Sequence, residues 1–205
     1  MLLDQYADHI AAAITAIRET QREKIIQAAQ MVKAVLVRDG LIYVFGCGHS
    51  HILAEETFYR AGGLANVAPV FYEPLMLHQG AAESSRLEKQ PGLAREVLKN
   101  CPATQNDIFF CLSTSGVNDV PVEAAEIIRS RGIPTVAICS SAYFDQNARS
   151  ASGKHLYEVS DLWIDNKAPH GDACLLLLRL CLRIGLCQIS IACRLALGSP
   201  RLIES

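Results

Sequence analysis

Several things are scarce in this sequence, and each scarcity removes a class of function. Lys and Arg number 19 against 21 Asp and Glu, a formal charge of −2, so there is no basic footprint for nucleic acid. No window holds the twenty or so uninterrupted apolar residues that a membrane span needs. The opening MLLDQYADHI carries Asp4 and Asp8 and no basic n-region, unlike a secretory signal. The eight cysteines are irregularly spaced with no C-x-x-C, so they point to no redox motif. Cys111 and Cys139 end apolar runs, where cysteine serves as a small buried hydrophobe. No internal repeat and no low-complexity linker is present.

What remains is half hydrophobic and one-fifth charged over 205 residues, the balance of one globular domain, alone or with an appendage. A cytoplasmic enzyme or binding protein is expected. Ile10, Ile14, Ile17, Ile25, Ala28, Val32 and Val35 recur at helical spacing with a lapse at Gln21, predicting one long helix or two stacked ones. Gly40 stands where a left-handed C-cap is expected. This segment, 1–40, is expected to cover the domain or to line a dimer interface. Short β-branched and aromatic runs follow at 41–46, 66–72, 107–113, 133–140 and 161–165, as strands of a parallel sheet buried on both faces should be. Between them, Glu55 to Arg60 and then Gly62-Gly63 reads as a helix with its stop. Val120 to Gly132 reads as another, with Pro121 near its start. Strand and helix in alternation predict an α/β three-layer sandwich over residues 41–173.

Ligands of open α/β sheets bind beyond the carboxyl ends of the strands. There the chain places Gly46-Cys47-Gly48-His49-Ser50-His51, then Ser113-Thr114-Ser115-Gly116-Val117-Asn118, then Ser140-Ser141. Helix N-termini flanked by hydroxyls suit a phosphate monoester without a cluster of arginines. Serine is also an ordinary N-cap, which is the other reading of each loop taken singly. The two glycines of the first loop would allow a phosphate to approach the backbone closely.

The stretches VFGCGHSH, AEETFYRAGGL, ESSRLEKQPGLA, STSGVNDVPVEAAEIIRSRGIPTVAI and VSDLWIDNKAPHGDA together resemble the sugar isomerase (SIS) domain. More narrowly, residues 1–173 resemble a bacterial group of SIS proteins of unassigned activity, similar to phosphoheptose isomerase and N-acetylmuramic acid 6-phosphate etherase. The resemblance implies a flavodoxin-like five-stranded parallel sheet, a phosphorylated sugar as ligand and a homo-oligomer, dimer or tetramer. It places phosphate binding on Ser50, Ser113, Thr114, Ser115 and Asn118, with Gly48 beside them. The catalytic glutamate of phosphoheptose isomerase falls near Tyr59 or Arg60, neither of which is a general base. Binding therefore carries over and the isomerase mechanism does not. The candidates for acid–base work are His51, Glu55 and Glu56, one of the two glutamates facing the site, and Glu83 in a polar loop that can act across a dimer interface. His51 and His78 are equally readable as hydrogen-bonded structural histidines, and Glu83 as a solvated surface residue.

Two rival chemistries fit the first loop less well. Gly46-x-Gly48 followed by Glu73 outlines a dinucleotide fingerprint, but His51 occupies the third glycine position. Cys47, His49 and His51, with His78, His155 and His170 elsewhere, are metal-ligating types, yet alternate residues of a tight turn rarely converge on one ion. No cofactor and no metal are expected. From Cys174 the composition changes: 174–205 holds four cysteines, ten leucines and Glu204 as its one acid. Arg179, Arg183 and Arg194 interrupt it, so a membrane span is not expected; an unusual buried helix is one reading, and a shifted reading frame is the one expected. The function expected is a sugar phosphate isomerase or lyase, with a non-catalytic phosphosugar sensor as the alternative.

Overall fold

A computed structural model describes residues 1–177 and 182–185 of the chain. Two helices open it, α1 (Leu2–Thr20) and α2 (Arg22–Val37), and they part at Gln21, where the apolar spacing lapses. The Gln21 side chain is turned inward. Its amide donates to the Thr20 carbonyl at 2.9 Å, and its oxygen accepts the Asp165 N–H at 3.1 Å. α2 ends in paired bonds from Asp39 N–H to Leu36 O, 3.2 Å, and from Gly40 N–H to Val35 O, 3.0 Å. The left-handed residue is Asp39, φ 55°, and not Gly40 as expected. Gly40 is required for another reason: a Cβ there would lie 2.1 Å from the Asn106 carbonyl oxygen.

Five strands follow, β1 (Ile42–Gly46), β2 (Val67–Pro69), β3 (Ile108–Leu112), β4 (Thr135–Cys139) and β5 (Leu162–Asp165). All are parallel, in the order β2-β1-β3-β4-β5. Every run read from the sequence contains a strand, but only three residues of 66–72 pair. On this edge Asn66 O and Val70 N bond to β1, which turns the Val67 and Pro69 backbone outward.

Strand alternation divides the core in two. Ile42, Val44, Ile108, Phe110, Leu112, Val136 and Ile138 face α1, α2 and α3 (His51–Thr57), meeting Ile17, Val32, Val35 and Leu53. Tyr43, Phe45, Phe109, Cys111, Ala137 and Cys139 face the opposite layer. That layer is α4 (Leu77–Leu87, kinked at Gly80), α5 (Leu93–Val97), α6 (Asp119–Ser130) and α7 (Leu156–Val159). Both faces are covered, as a parallel sheet demands. Two helical readings need correction. The first crossover helix stops at Thr57, three residues short of Arg60, because Phe58 is extended and Tyr59 is left-handed, φ 49°. Glu83 lies on α4, whose helix the polar composition of 77–87 concealed.

After β5, β6 (Ala173–Leu177) and β7 (Leu182–Gly185) form a separate antiparallel pair. The out-of-frame reading of 174–205 falls mostly outside the described residues. Among the described residues no helix is long and apolar enough to cross a membrane.

Candidate functional site

The chain leaves β1 for β2 on one side, and later passes from β3 to β4 and β5 on the other. The carboxyl ends of β1 and β3 therefore flank the switch point of the sheet. The loop after β1 makes a single 3-10 turn at 48–50 and runs into α3. Gly46 is fixed by its own chain: a Cβ there would lie 2.7 Å from the Ser50 backbone and from Ser50 Cβ. Close approach is thus needed at Gly46, but the approaching group is Ser50. Gly48 takes φ 55°. Ser50 is buried and, at the N-cap position of α3, makes no cap bond.

His51 begins α3 and is buried. Its Nδ1 bonds to the Gly48 carbonyl, and because a carbonyl only accepts, Nδ1 carries the hydrogen. Nε2 lies 3.3 Å from Glu55 Oε1. The His78 ring, on exposed α4 surface, is 6.2 Å away between centroids. Glu56 pairs with Arg60. Glu83 is exposed and paired with Arg86, Oε1 to Nη2 2.6 Å, a bond that draws its carboxyl below the usual range. The structure thus joins His51 with Glu55 and sets Glu56 and Glu83 in ion pairs of their own. Tyr59, 94% exposed, lies beyond the end of α3.

The loop after β3 is tied down at its carbonyls and open at its amides. Thr114 O accepts Ser140 N–H at 2.9 Å, Gly116 O accepts Leu156 N–H at 2.8 Å, and Val117 O accepts Arg149 N–H at 2.8 Å. Ser113 Oγ accepts Gly116 N–H at 3.2 Å, closing a turn through Gly116, φ 63°. Among the described residues the N–H groups of Thr114, Ser115, Val117 and Asn118 meet no acceptor. Asn118 precedes the twelve-residue α6 and makes no cap bond. Its oxygen accepts from Arg149 Nη1 at 3.3 Å. The third loop differs: Ser140 Oγ donates to Ala168 O, 2.5 Å, and accepts Ala142 N–H, 3.2 Å, so that hydroxyl is structural.

Burial pushes the Cys47, Cys111 and Cys139 thiols up, Cys139 to about 12, which disfavours a thiolate at each of these three. Among the described residues no three His, Cys, Asp or Glu side chains gather as metal ligands. Glu88, just past α4, went unread in the sequence. Burial raises its carboxyl above the ordinary value, against the Asn118 hydrogen bond and the charges of Lys89 and Arg149.

Residues 5–140 match the SIS domain. A UPF0309 protein of Geobacillus sp. strain WCH70 is 44% identical over 175 residues, covering 85% of this chain and 71% of that one. Among solved structures, a phosphoheptose isomerase from Francisella tularensis superposes with TM-score 0.59 at 15% identity, covering 100% of this chain and 98% of that one. The phosphoheptose isomerase of Neisseria gonorrhoeae superposes with TM-score 0.56 at 16% identity, covering 96% and 98%. At such identities the superpositions speak for the fold.

Proposed function

The chain belongs to the SIS domain family, within the group of the UPF0309 proteins, and on that premise we propose that it binds a phosphorylated sugar between its two serine loops and interconverts aldose and ketose forms. One observation carries the binding half. Among the described residues, four N–H groups of one loop, those of Thr114, Ser115, Val117 and Asn118, stand without acceptors ahead of a three-turn helix whose N-cap side chain is engaged by Arg149. Such a nest, with the helix dipole behind it, is an anion cradle. Ser113, Thr114 and Ser115 supply hydroxyls from one side, and Gly48 and Ser50 face them from the other. Asn118 closes the second loop.

For the chemical half, His51 is the acid–base group. With Nδ1 fixed on the Gly48 carbonyl, Nε2 takes a proton from C2 of the open-chain aldose and returns it to C1. A proton passes between O1 and O2, so the atoms balance through an enediol. Glu55 stabilises the imidazolium that forms. Glu56 and Glu83 pair with Arg60 and Arg86; in a homo-oligomer Glu83 would serve a neighbouring subunit's site. The exposed Leu2, Leu3 and Ile14 of α1 are where a second copy would pack.

A second reading rests on one specific departure. By resemblance the isomerase glutamate falls near Tyr59 or Arg60, which lie beyond α3 and carry no carboxylate, and this suits a phosphosugar sensor. Incubation with pentose, hexose and heptose phosphates, followed by NMR, separates the two. Interconversion by wild type supports the isomerase; binding without turnover replaces it with the sensor; neither binding nor turnover ends both.

A further inference from the structure

An aldose–ketose exchange moves two protons, and His51 carries the one that travels from C2 to C1. The other passes between the two oxygens, and beside His51 stands one acid–base side chain without a task, His78. Its ring centroid is 6.2 Å from that of His51, with 57° between the planes. The two rings are held in opposite ways. His51 is buried, with Nδ1 on the Gly48 carbonyl and Nε2 3.3 Å from Glu55 Oε1. His78 is exposed, and among the described residues its nitrogens meet no hydrogen-bond or ion-pair partner. A histidine kept for structure has its nitrogens satisfied, and this one does not. The turn that bears it is nevertheless fixed. Leu75 and Met76 are buried just ahead of it, Ser84 Oγ donates to Leu75 O at 2.7 Å, and Gln79 N–H to Met76 O at 3.2 Å. Leu77 rests on the first loop, where a Cβ on Gly48 would meet its Cδ2 at 4.0 Å. Gly80, φ 148° and ψ 101°, breaks α4 two residues after His78, so this turn takes its own direction.

We infer that His78 is the second catalytic residue of the isomerase, the group that moves a proton between O1 and O2 while His51 works at carbon. The inference rests on the aldose–ketose reading. His51 Nε2 takes the proton from C2, and the C–H pair becomes the C1=C2 bond. The carbonyl pair moves to O1, which receives a proton from the protonated His78. The enediol is then complete, with His51 charged and His78 neutral. His78 next takes the proton of O2–H, whose bonding pair closes the C2 carbonyl, and the C1=C2 pair takes the proton of His51 at C1. Both rings are back in their first state, and atoms and electrons balance. As one ring takes up a proton the other gives one up, so the pair carries a single positive charge throughout. Two imidazolium rings 6.2 Å apart would repel, and this order of transfer avoids that state.

Chemical rescue on the full chain tests this. The probes are ribose 5-phosphate, glucose 6-phosphate and sedoheptulose 7-phosphate, followed by NMR. On a probe that wild type interconverts, His78→Ala should lower kcat on the order of 10²–10⁴-fold, with Kd for that probe and the melting temperature near wild type. Added imidazole should restore turnover to His78→Ala, because the exposed position admits it. A structural role does not answer to imidazole. Wild-type kcat in His78→Ala overturns the assignment, as does a loss of turnover that imidazole leaves unrepaired. Failure of His78→Ala to fold, or loss of Kd together with kcat, makes the ring structural and overturns it too. Wild type that interconverts none of the three probes overturns the isomerase reading, and the role of His78 with it. That failure is read on wild type alone and is thereby distinct from the others.

Discussion

Nε2 of His51 stands 3.3 Å from Oε1 of Glu55, one turn along α3, while Nδ1 of the same ring is held by the Gly48 carbonyl. One nitrogen is thereby a fixed donor, and the other faces the carboxylate. The ring is buried and Glu55 is exposed, so the pair lies across the boundary between core and surface.

His51→Gln should abolish turnover, a loss on the order of 10²–10⁴-fold, with sugar phosphate affinity nearly intact. Glu55→Gln should give a smaller fall in kcat at similar KM. Separate measurement of kcat and of Kd checks both. Loss of binding together with turnover would mark His51 as a structural residue.

Hexose or heptose phosphates, and not the free sugars, should raise the melting temperature. At a hundred times Kd the stabilisation is about 2.7 kcal/mol. Ser115→Ala should weaken binding by roughly 1.5–3 kcal/mol, the range for a hydrogen bond to a charged group. Calorimetry with matched sugar and sugar phosphate is the check, and equal affinity for the two would remove the phosphate site.

The sheet was legible because both its faces are buried, which makes each strand an unbroken apolar run bounded by turn residues. The break at Gln21 was visible as one lapse in spacing, although its cause, a bond to Asp165 N–H, spans 144 positions of sequence and left no local trace. α4 was missed because a helix of polar and small residues, kinked at Gly80, has no clean apolar stripe. Ser140 shows the limit of motif reading: in sequence it matches the other serine loops, and only its bond to Ala168 O separates it from them. Glu88 was hidden similarly. Its stretch, RLEKQPG, reads as a solvated helix end, yet the Glu88 carbonyl is tied to Val120 N–H at 3.1 Å and the residue is half-buried.

Asp107 bridges two segments, accepting Leu41 N–H at 2.7 Å, Thr104 N–H at 2.6 Å and the Thr104 hydroxyl at 2.9 Å. Burial pushes its carboxyl up, but these bonds and the charge of Arg38 outweigh it, and the net direction is down from 3.8. A depressed carboxyl adds stability above its unfolded pKa and loses it as pH falls through the folded one. Asp107→Asn should therefore destabilise by about 1–3 kcal/mol at neutral pH, with the gap to wild type closing below about pH 4. Thermal melts across pH test this.

Glu88 has the opposite sign. Its carboxyl is raised above 4.5, so its ionised form weakens the fold, and wild type loses stability as pH rises through the folded pKa. Glu88→Gln escapes that loss. Its melting temperature should match or fall below wild type near pH 4 and exceed it at pH 8. A constant difference across that range would show that ionisation of Glu88 does not matter to stability.

We propose that residues 174–205 are read out of frame. Coding DNA read one base over from about codon 174 should give an amphipathic continuation bearing glycine and serine, and that chain should be more soluble, since an amphipathic segment exposes less apolar surface than a leucine-rich one. Sequencing the gene decides it; early stops in both other frames would make the tail genuine.

Pro69 has a meaning for how this molecule behaves in a crowd. β2 is the outer strand on its side, and its outward-turned backbone belongs to Val67 and Pro69. Proline has no N–H to offer, so that margin presents a single donor along its three residues. A stray strand needs a run of alternating donors and acceptors to zip onto, and here it finds one rung. A sheet this apolar is a natural template for uncontrolled growth, and on its β2 side growth is stopped by one imino acid.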